Sequence, residues 1–362
     1  MKPAGFWLKG VLIVPLAILA ITFLVSGGYA QPAPKVWHLR FTNDMPGPPN
    51  SHGICADVFA REIKRLTGGR VVVDQVLHGG ALSKPGEALD HMSRRVADGG
   101  LIGYIYYPGR LRTLAFLAAI PFGPPTSVMT AEIISKEIKE APELEDETAK
   151  ENIHVAAVNT IYAYDLISTK PVRTLGDFKG MRIAVSGRYF NKAFERVGAA
   201  SPAMPLAERT SALTTGAIDG SCLTIFTHHE MGFFKIAKHV TILRFPSMTI
   251  GLLAINADLW KTFPKDIQQQ IGEAAVNARK ELQRLELVSL DKSKVAMKEM
   301  GVQLYELSNS DIAKWAEMIS DFPKDWITEA EGKGIPGRKI MERFIALAKQ
   351  AGYVFPFEPK LK

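Results

Sequence analysis

The chain of 362 residues holds only two cysteines, Cys55 and Cys222. Two thiols build no disulfide framework, and these two lack the spacing of a metal site or a redox CxxC. Two free, buried thiols are expected, with a single bond in an exported chain as the alternative. Charge of one sign is not in large excess: 44 Lys and Arg face 37 Asp and Glu, for a formal +7. The basic residues are spread along the chain, which argues against a nucleic-acid surface and fits solubility and some attraction for anions. Catalytic signatures are absent as well. There is no GxSxG elbow, no HExxH and no P-loop, and Cys55 has no evident activating partner, so no enzyme is expected. Adjacent histidines chelate one ion poorly in either a strand or a helix, so His228-His229-Glu230 is not read as a metal site, and no cofactor is implied.

After residue 30 no stretch is long and apolar enough to span a bilayer. Before it, Lys2 and Lys9 precede an apolar run from Val11 to Val25, and Gly28-Tyr29-Ala30 supplies small residues at −3 and −1. That is the pattern of a secretory signal peptide over residues 1–30, cleaved near Ala30. A membrane anchor is the alternative, but the run falls short of the ~20 residues a spanning helix needs. Export to the periplasm is therefore expected.

The mature chain is long for one core, so two lobes are expected. Trp37 to Phe41, Val71 to Val73 and Leu101 to Tyr107 read as strands. The helices between them carry Val58, Phe59, Ile63 and Leu66, then Ala88, Leu89, Met92 and Val96, with Gly99-Gly100 as the second stop. This βαβαβ series points to an open α/β sheet. A second series starts at His154 to Val158 and Leu166 to Ser168. It runs through the strand Ile183 to Val185, the turn Ser186-Gly187 and a helix bearing Phe190, Ala193, Phe194 and Val197. No proline stands between Pro264 and Pro323, and Ile267, Ile271, Ala274, Ala278, Leu282, Leu285 and Val288 keep a 3-to-4 spacing. A helix from Pro264 to Met300, ~55 Å long, either spans two lobes or breaks near Ser289.

Lys170-Pro171-Val172 followed by Thr174 to Ile183 resembles the K-P-I-x-T-x-x-D-(F/L)-K-G-x-K-I segment of the TRAP-type solute-binding proteins. Ser211 to Gly220 is similar to the x-A-L-Q-T-G-V-V-D-G segment of the same family. Val197-Gly198-Ala199, Met204-Pro205, Glu208, Ala237 to Thr241, Asn256 with Trp260, Leu66 to Arg70 and Ala119 to Phe122 fall in the matching order. The resemblance covers nearly the whole mature chain. It implies an α/β, two-lobed periplasmic binding protein (type II-like) with crossing hinge strands and a long lobe-spanning helix. The lobes are expected at 35–156 plus 248–288 and at 157–247 plus 289–345, with a C-terminal tail at 346–362. It also implies lobe closure on one small organic acid and delivery to the small and large membrane subunits of a TRAP permease. The sequence leaves the oligomeric state open, with a monomer as the default expectation. A receptor for a membrane signalling protein, or a secreted hydrolase, are the alternatives.

Two polar positions depart from that resemblance. The strand position where the family usually carries a carboxylate-binding arginine is Ala184, and Asp219-Gly220 is followed by Ser221-Cys222-Leu223 in place of x-E-N. Arg188, in the first turn of a helix, is the candidate replacement, since a cation there is unfavourable without a negative partner; exposure to solvent is the alternative. Tyr104, Tyr106, Tyr162 and Tyr164 stand near strand ends, which face the crevice in open α/β sheets. Those tyrosines, with His52, Cys222 and Phe226, complete the expected ligand-binding set, and with Ala184 and Leu223 they suit an aromatic or apolar-bodied solute. Ordinary sheet packing is the alternative for each tyrosine, and a solvated loop position for His52. Arg182, alternating with Ile183, is expected to face outward.

Overall fold

The computed structural model describes residues 35–361 except Pro49, Pro108, Pro121 and Ala203; the expected signal peptide lies outside the described residues. In the first half, β1 (Trp37–Asn43), α1 (Ser51–Leu66), β2 (Val71–His78), α2 (Ala88–Ser93) and β3 (Gly99–Gly103) are followed by α3 (Ser127–Glu140), α4 (Pro142–Lys150) and β4 (Ile153–Ile161). Next come β5 (Asp165–Ser168), β6 (Ile183–Ala184), α5 (Arg188–Arg196), α6 (Leu206–Thr214), β7 (Gly220–Leu223), α7 (Ile225–Glu230) and β8 (His239–Ile242). The chain continues through β9 (Met248–Asn256), α8 (Ala257–Thr262), α9 (Lys265–Glu299), β10 (Gln303–Glu306), α10 (Asn309–Met318), α11 (Phe322–Glu331) and α12 (Gly337–Gln350).

The strands form two five-stranded sheets, ordered β2-β1-β3-β9-β4 and β10-β8-β5-β7-β6. In the first, β1, β2 and β3 are parallel, while β9 runs antiparallel to β3 and β4. In the second, β6 is parallel to β7 and β10 to β8, with β5 antiparallel to β7 and β8. The carboxyl ends of β1 to β4 therefore share one edge, and those of β6, β7 and β8 share another with the start of β5. The chain crosses from edge to edge twice, through residues 162–164 and 243–247. This is the two-lobed α/β arrangement with crossing strands.

One helix joins the two cores. α9 has 35 residues, about 52 Å at 1.5 Å per residue. Ile267, Ile271, Ala274, Ala278 and Leu282 enter the core of the first sheet with Phe41, Cys55 and Phe59. Met297, near its far end, enters the core of the second with Ile167, Ala184 and Phe233. Between them the expected stripe shifts: Val288 is exposed, and Gln283, Glu286 and Ser293 turn inward. The helix there passes beside the crossing segments, where polar groups rather than a sheet face meet it. The chain did not break near Ser289.

Two other expectations needed correction. The strand through Tyr107 stops at Gly103, because the Gly103 N–H goes to Asp44 Oδ1 (2.7 Å) instead of a neighbouring strand, and Tyr104–Tyr106 form a 3₁₀ turn. The helix expected to reach Val96 ends at Ser93, Arg95 turns at φ 59°, and Gly99 and Gly100 begin β3 rather than closing a helix. Gly100 is required in the strand: at φ 138°, a Cβ there would lie 1.9 Å from the Thr42 carbonyl oxygen.

A third core links the sheets. Ile102, Leu117 and Phe122 from the first half pack with Ile183, Phe190 and Phe194 from the second, all under Trp315, Phe322 and Phe344 of α10 to α12. Trp315 lies at its centre, with ring centroids 5.0 Å from Phe178, 5.0 Å from Phe245, 5.6 Å from Phe194 and 5.8 Å from Phe122. Its indole N–H donates to the Ala193 carbonyl at 2.9 Å. Both cysteines are free and buried.

Candidate ligand-binding cleft

The two carboxyl edges meet at the crossings, and a hollow of about 240 Å³ lies between them. Tyr162 and Ala163 of the first crossing, Thr224 to Phe226 after β7, Ile242 and Arg244 after β8, and Leu290 and Lys294 of α9 line it. Phe226 packs with Ile161 and Ile250, so one apolar cluster ties α7 to β4 and β9. Two cations stand at the rim, each in a weak, exposed pair: Arg244 with Glu306 at 3.3 Å and Lys294 with Asp291 at 3.5 Å. Asp165 is buried at the wall; its Oδ1 accepts the Leu243 N–H at 2.9 Å, and burial raises its pKa to about 7. An apolar hollow with a phenol and cations at its mouth suits a solute with an apolar body and an anionic head.

A larger hollow of about 320 Å³ opens elsewhere, between α4 and the segment ahead of α12. Its charges answer one another: Arg110 pairs with Asp90 and Glu151, and Glu147 accepts the backbone N–H groups of Arg112 and Thr113. It touches neither carboxyl edge, so the hinge hollow is the candidate site.

The expected residues divide. Tyr162 and Phe226 line the hollow, and Tyr164 packs on the same apolar cluster while its ring meets Phe190. Cys222 is fully buried in the core shared by the sheets. Tyr104 is buried in that core too, whereas Tyr106, 36% exposed, lies against Gly103 beside Asp44. Burial raises Asp44 to about 6 despite the Gly103 N–H it accepts. His52 opens α1 in a buried place, not a solvated one; its Nε2 has no partner, and burial lowers its pKa to about 4, so it is neutral. His228 is buried with Nε2 3.0 Å from the Asp165 carbonyl, and His229 stacks on Phe234.

Arg188 faces away from the hollow. It is 56% exposed and pairs with Glu329 of α11 at 2.5 Å. Lys192 with Asp325 and Arg196 with Asp321 repeat the pairing one and two turns on, a ladder between antiparallel helices. Exposed pairs of this kind contribute about 0.2–1 kcal/mol each. Arg188→Ala is expected to shift the melting temperature by a degree or two and to leave solute affinity within about twofold; a tenfold loss of affinity in calorimetry would return it to the site. Arg182 points outward and is held by Asp219 at 3.0 Å.

Residues 45–329 match the profile of the bacterial extracellular solute-binding proteins, family 7. The chain belongs to this family. A solute-binding protein of Chromohalobacter salexigens is 26% identical over 270 residues, covering 72% of this chain and 77% of the relative. A TRAP periplasmic solute-binding protein from Desulfovibrio salexigens superposes with TM-score 0.76 at 20% identity, over 87% of this chain and 96% of that one. Another from a marine metagenome, described as specific for aromatic acid ligands, superposes at 0.71 and 19% identity, over 88% and 100%. The sequence resemblance and the two-lobed fold are thus both met.

In this family 7 protein, sequence reasoning passed over four polar residues that the fold buries or places at the crossings: Arg209, Glu286, Arg244 and Lys294. Two left a signal. Arg209 falls three and four residues before Ala212 and Leu213, on the inward face of α6, and Glu286 falls four after Leu282 on α9. A charge on an apolar stripe is seldom buried without a reason.

Proposed function

We propose that the protein is a periplasmic receptor that captures one small organic acid, apolar or aromatic in body, between its lobes and delivers it to a TRAP permease. No bond is made or broken. The observation that carries this reading is the hinge hollow, whose apolar wall of Ile225, Phe226, Ile242 and Leu290 carries Tyr162, with Arg244 and Lys294 at the rim. A ring or short chain fits the wall, and the cations suit a carboxylate. The fold relative described as specific for aromatic acids, bound to metahydroxyphenylacetate, supports the same solute class. Closure follows when solute contacts exist only with both lobes engaged, and the two crossings supply the hinge.

A thermal-shift screen of the mature protein tests this. Aromatic acids, aliphatic acids and uronic acids are compared with their neutral amides. At a hundredfold excess over its dissociation constant, a cognate acid stabilises the fold by about 2.7 kcal/mol, and its amide does much less. Stabilisation by neutral or cationic solutes alone, or turnover of the bound compound, contradicts the reading.

A further inference from the structure

We propose that Arg209 selects an anionic solute, by holding the Ser186 hydroxyl as a donor toward the cleft and placing an unneutralised positive charge beneath the turn from β6 to α5. The proposal rests on the receptor reading and adds to it a second, buried charge, at the carboxyl end of β6 and apart from the Arg244 and Lys294 that line the hinge hollow.

The Arg209 side chain is fully buried. Its Nε and Nη2 donate to the Met204 carbonyl at 3.2 and 3.1 Å, Nη2 to Ser186 Oγ at 2.7 Å, and Nη1 to Ser221 Oγ at 3.3 Å. Every one of these acceptors is neutral. The ionisable groups facing it are the Cys222 thiol, the Tyr164 phenol and the His228 ring, and none is an anion: burial keeps the first two protonated and the third neutral. Among the described residues no carboxylate pairs with it. The other inward-turned arginine, Arg279, is also held by neutral oxygens, from Ser135 and Ala131, but it lies along α3, away from either carboxyl edge. A guanidinium taken out of water without a counter-charge is costly, and the cost falls when an anion arrives.

The surroundings show where that anion sits. Ala184 pairs with Ser221 across β6 and β7 and presents only a methyl group, so the guanidinium has room between Ser186 and Ser221. Ser186 is exposed. Arginine has donors and no acceptor, so Ser186 Oγ can only accept from it, and the hydroxyl proton is free to turn outward. Gly187 follows at φ 115° and caps α5 without a side chain, which leaves the first-turn N–H groups open. Ser186 Oγ–H and those N–H groups form one row of donors above a buried cation. Arg188, at the same turn, is committed to Glu329. Arg209 therefore acts as a positioning residue, through Ser186 and through its field.

The test uses the mature chain with bromide and with metahydroxyphenylacetate as probes, in wild type, Arg209→Met, Arg209→Lys and Ser186→Ala. In crystals soaked in bromide, an anomalous peak is expected within hydrogen-bond reach of Ser186 Oγ in wild type and Arg209→Lys, and none in Arg209→Met or Ser186→Ala. Affinity for the acid is expected to fall about 30-fold or more in Arg209→Met and to recover largely in Arg209→Lys; binding of the matched amide stays unchanged. A merely structural arginine would move acid and amide together. No bromide at the turn in wild type, or equal occupancy without Arg209, overturns the proposal. If bromide obeys Arg209 and no organic acid binds, the anion seat stands and the organic-acid reading falls. If Arg209→Met does not fold, the exposed Ser186→Ala decides, and retention of bromide by that variant counts against the proposal.

Discussion

Trp315→Ala is expected to lower stability by about 3–5 kcal/mol, the range for removing a large aromatic from a packed core. The indole is fully buried among Phe122, Phe178, Phe194 and Phe245. These rings come from different parts of the chain: Phe122 precedes α3, Phe245 lies on the second crossing, and Phe178 and Phe194 flank β6 and end α5. Alanine removes the contact common to all four and leaves the Ala193 carbonyl, on α5, without the N–H it now accepts. With ~2.1 cal/mol/K of unfolding entropy per residue, a chain of this size loses about 1.5 °C per kcal/mol, so the melting temperature should drop by roughly 5 °C. Trp315→Phe keeps part of the ring packing and should lose clearly less. Calorimetry on the two variants checks this, and a drop of only a degree or two for alanine would mean that the rings close the gap on their own.

The second large effect depends on pH. Glu286, on the stretch of α9 beside the crossings, is almost fully buried, and neither carboxylate oxygen has a hydrogen-bond partner. Burial raises its pKa to about 8, with the neighbouring Ser127 pulling slightly the other way. An unfolded glutamate ionises near 4.5, so from there to about 8 the native chain keeps a proton that the unfolded chain has lost. Unfolding then releases that proton, and stability declines as pH rises through this window. Below about 6.5 the picture is mixed: His52, His154 and His228, each lowered by burial to about 4, bind protons more readily when unfolded and oppose the acids. Between pH 6.5 and 8 the histidines drop out and Glu286 dominates, with Asp165 and Glu137, both raised to about 7, adding to its lower part. Glu286→Gln removes the titrating group. Its stabilising effect should be larger at pH 8.5 than at pH 6 by about 2–3 kcal/mol as a ceiling, following 1.36 kcal/mol per pKa unit. Melting curves at the two pH values measure the difference, and equal effects at both would show that the carboxylate finds water or a partner in solution.

Much of the architecture was legible because it follows from local pattern. The apolar spacing from Ile267 to Leu282 carries one face of α9 into a core, and no proline interrupts it, so the spanning helix could be read directly. The turn Ser186-Gly187 between β6 and α5 was equally plain. The site was less legible, because its contacts join residues far apart in the chain. Arg188 looked unpaired in sequence, but its partner lies 141 residues away on α11. Tyr104 stood at a strand end by pattern, yet Asp44, just past the end of β1, takes the Gly103 N–H and turns the chain inward. Arg209 was hidden inside a segment read for its resemblance, where a cation on the buried face of α6 was the feature to weigh.

Small-angle scattering of the protein from residue 31 onward, with and without an acid that stabilises it, tests the central claim most directly. Capture between hinged lobes predicts a smaller radius of gyration and a changed profile on binding, with the amide of the same acid leaving the profile as it was. Superimposable profiles at saturating acid would contradict closure of the two lobes around the solute.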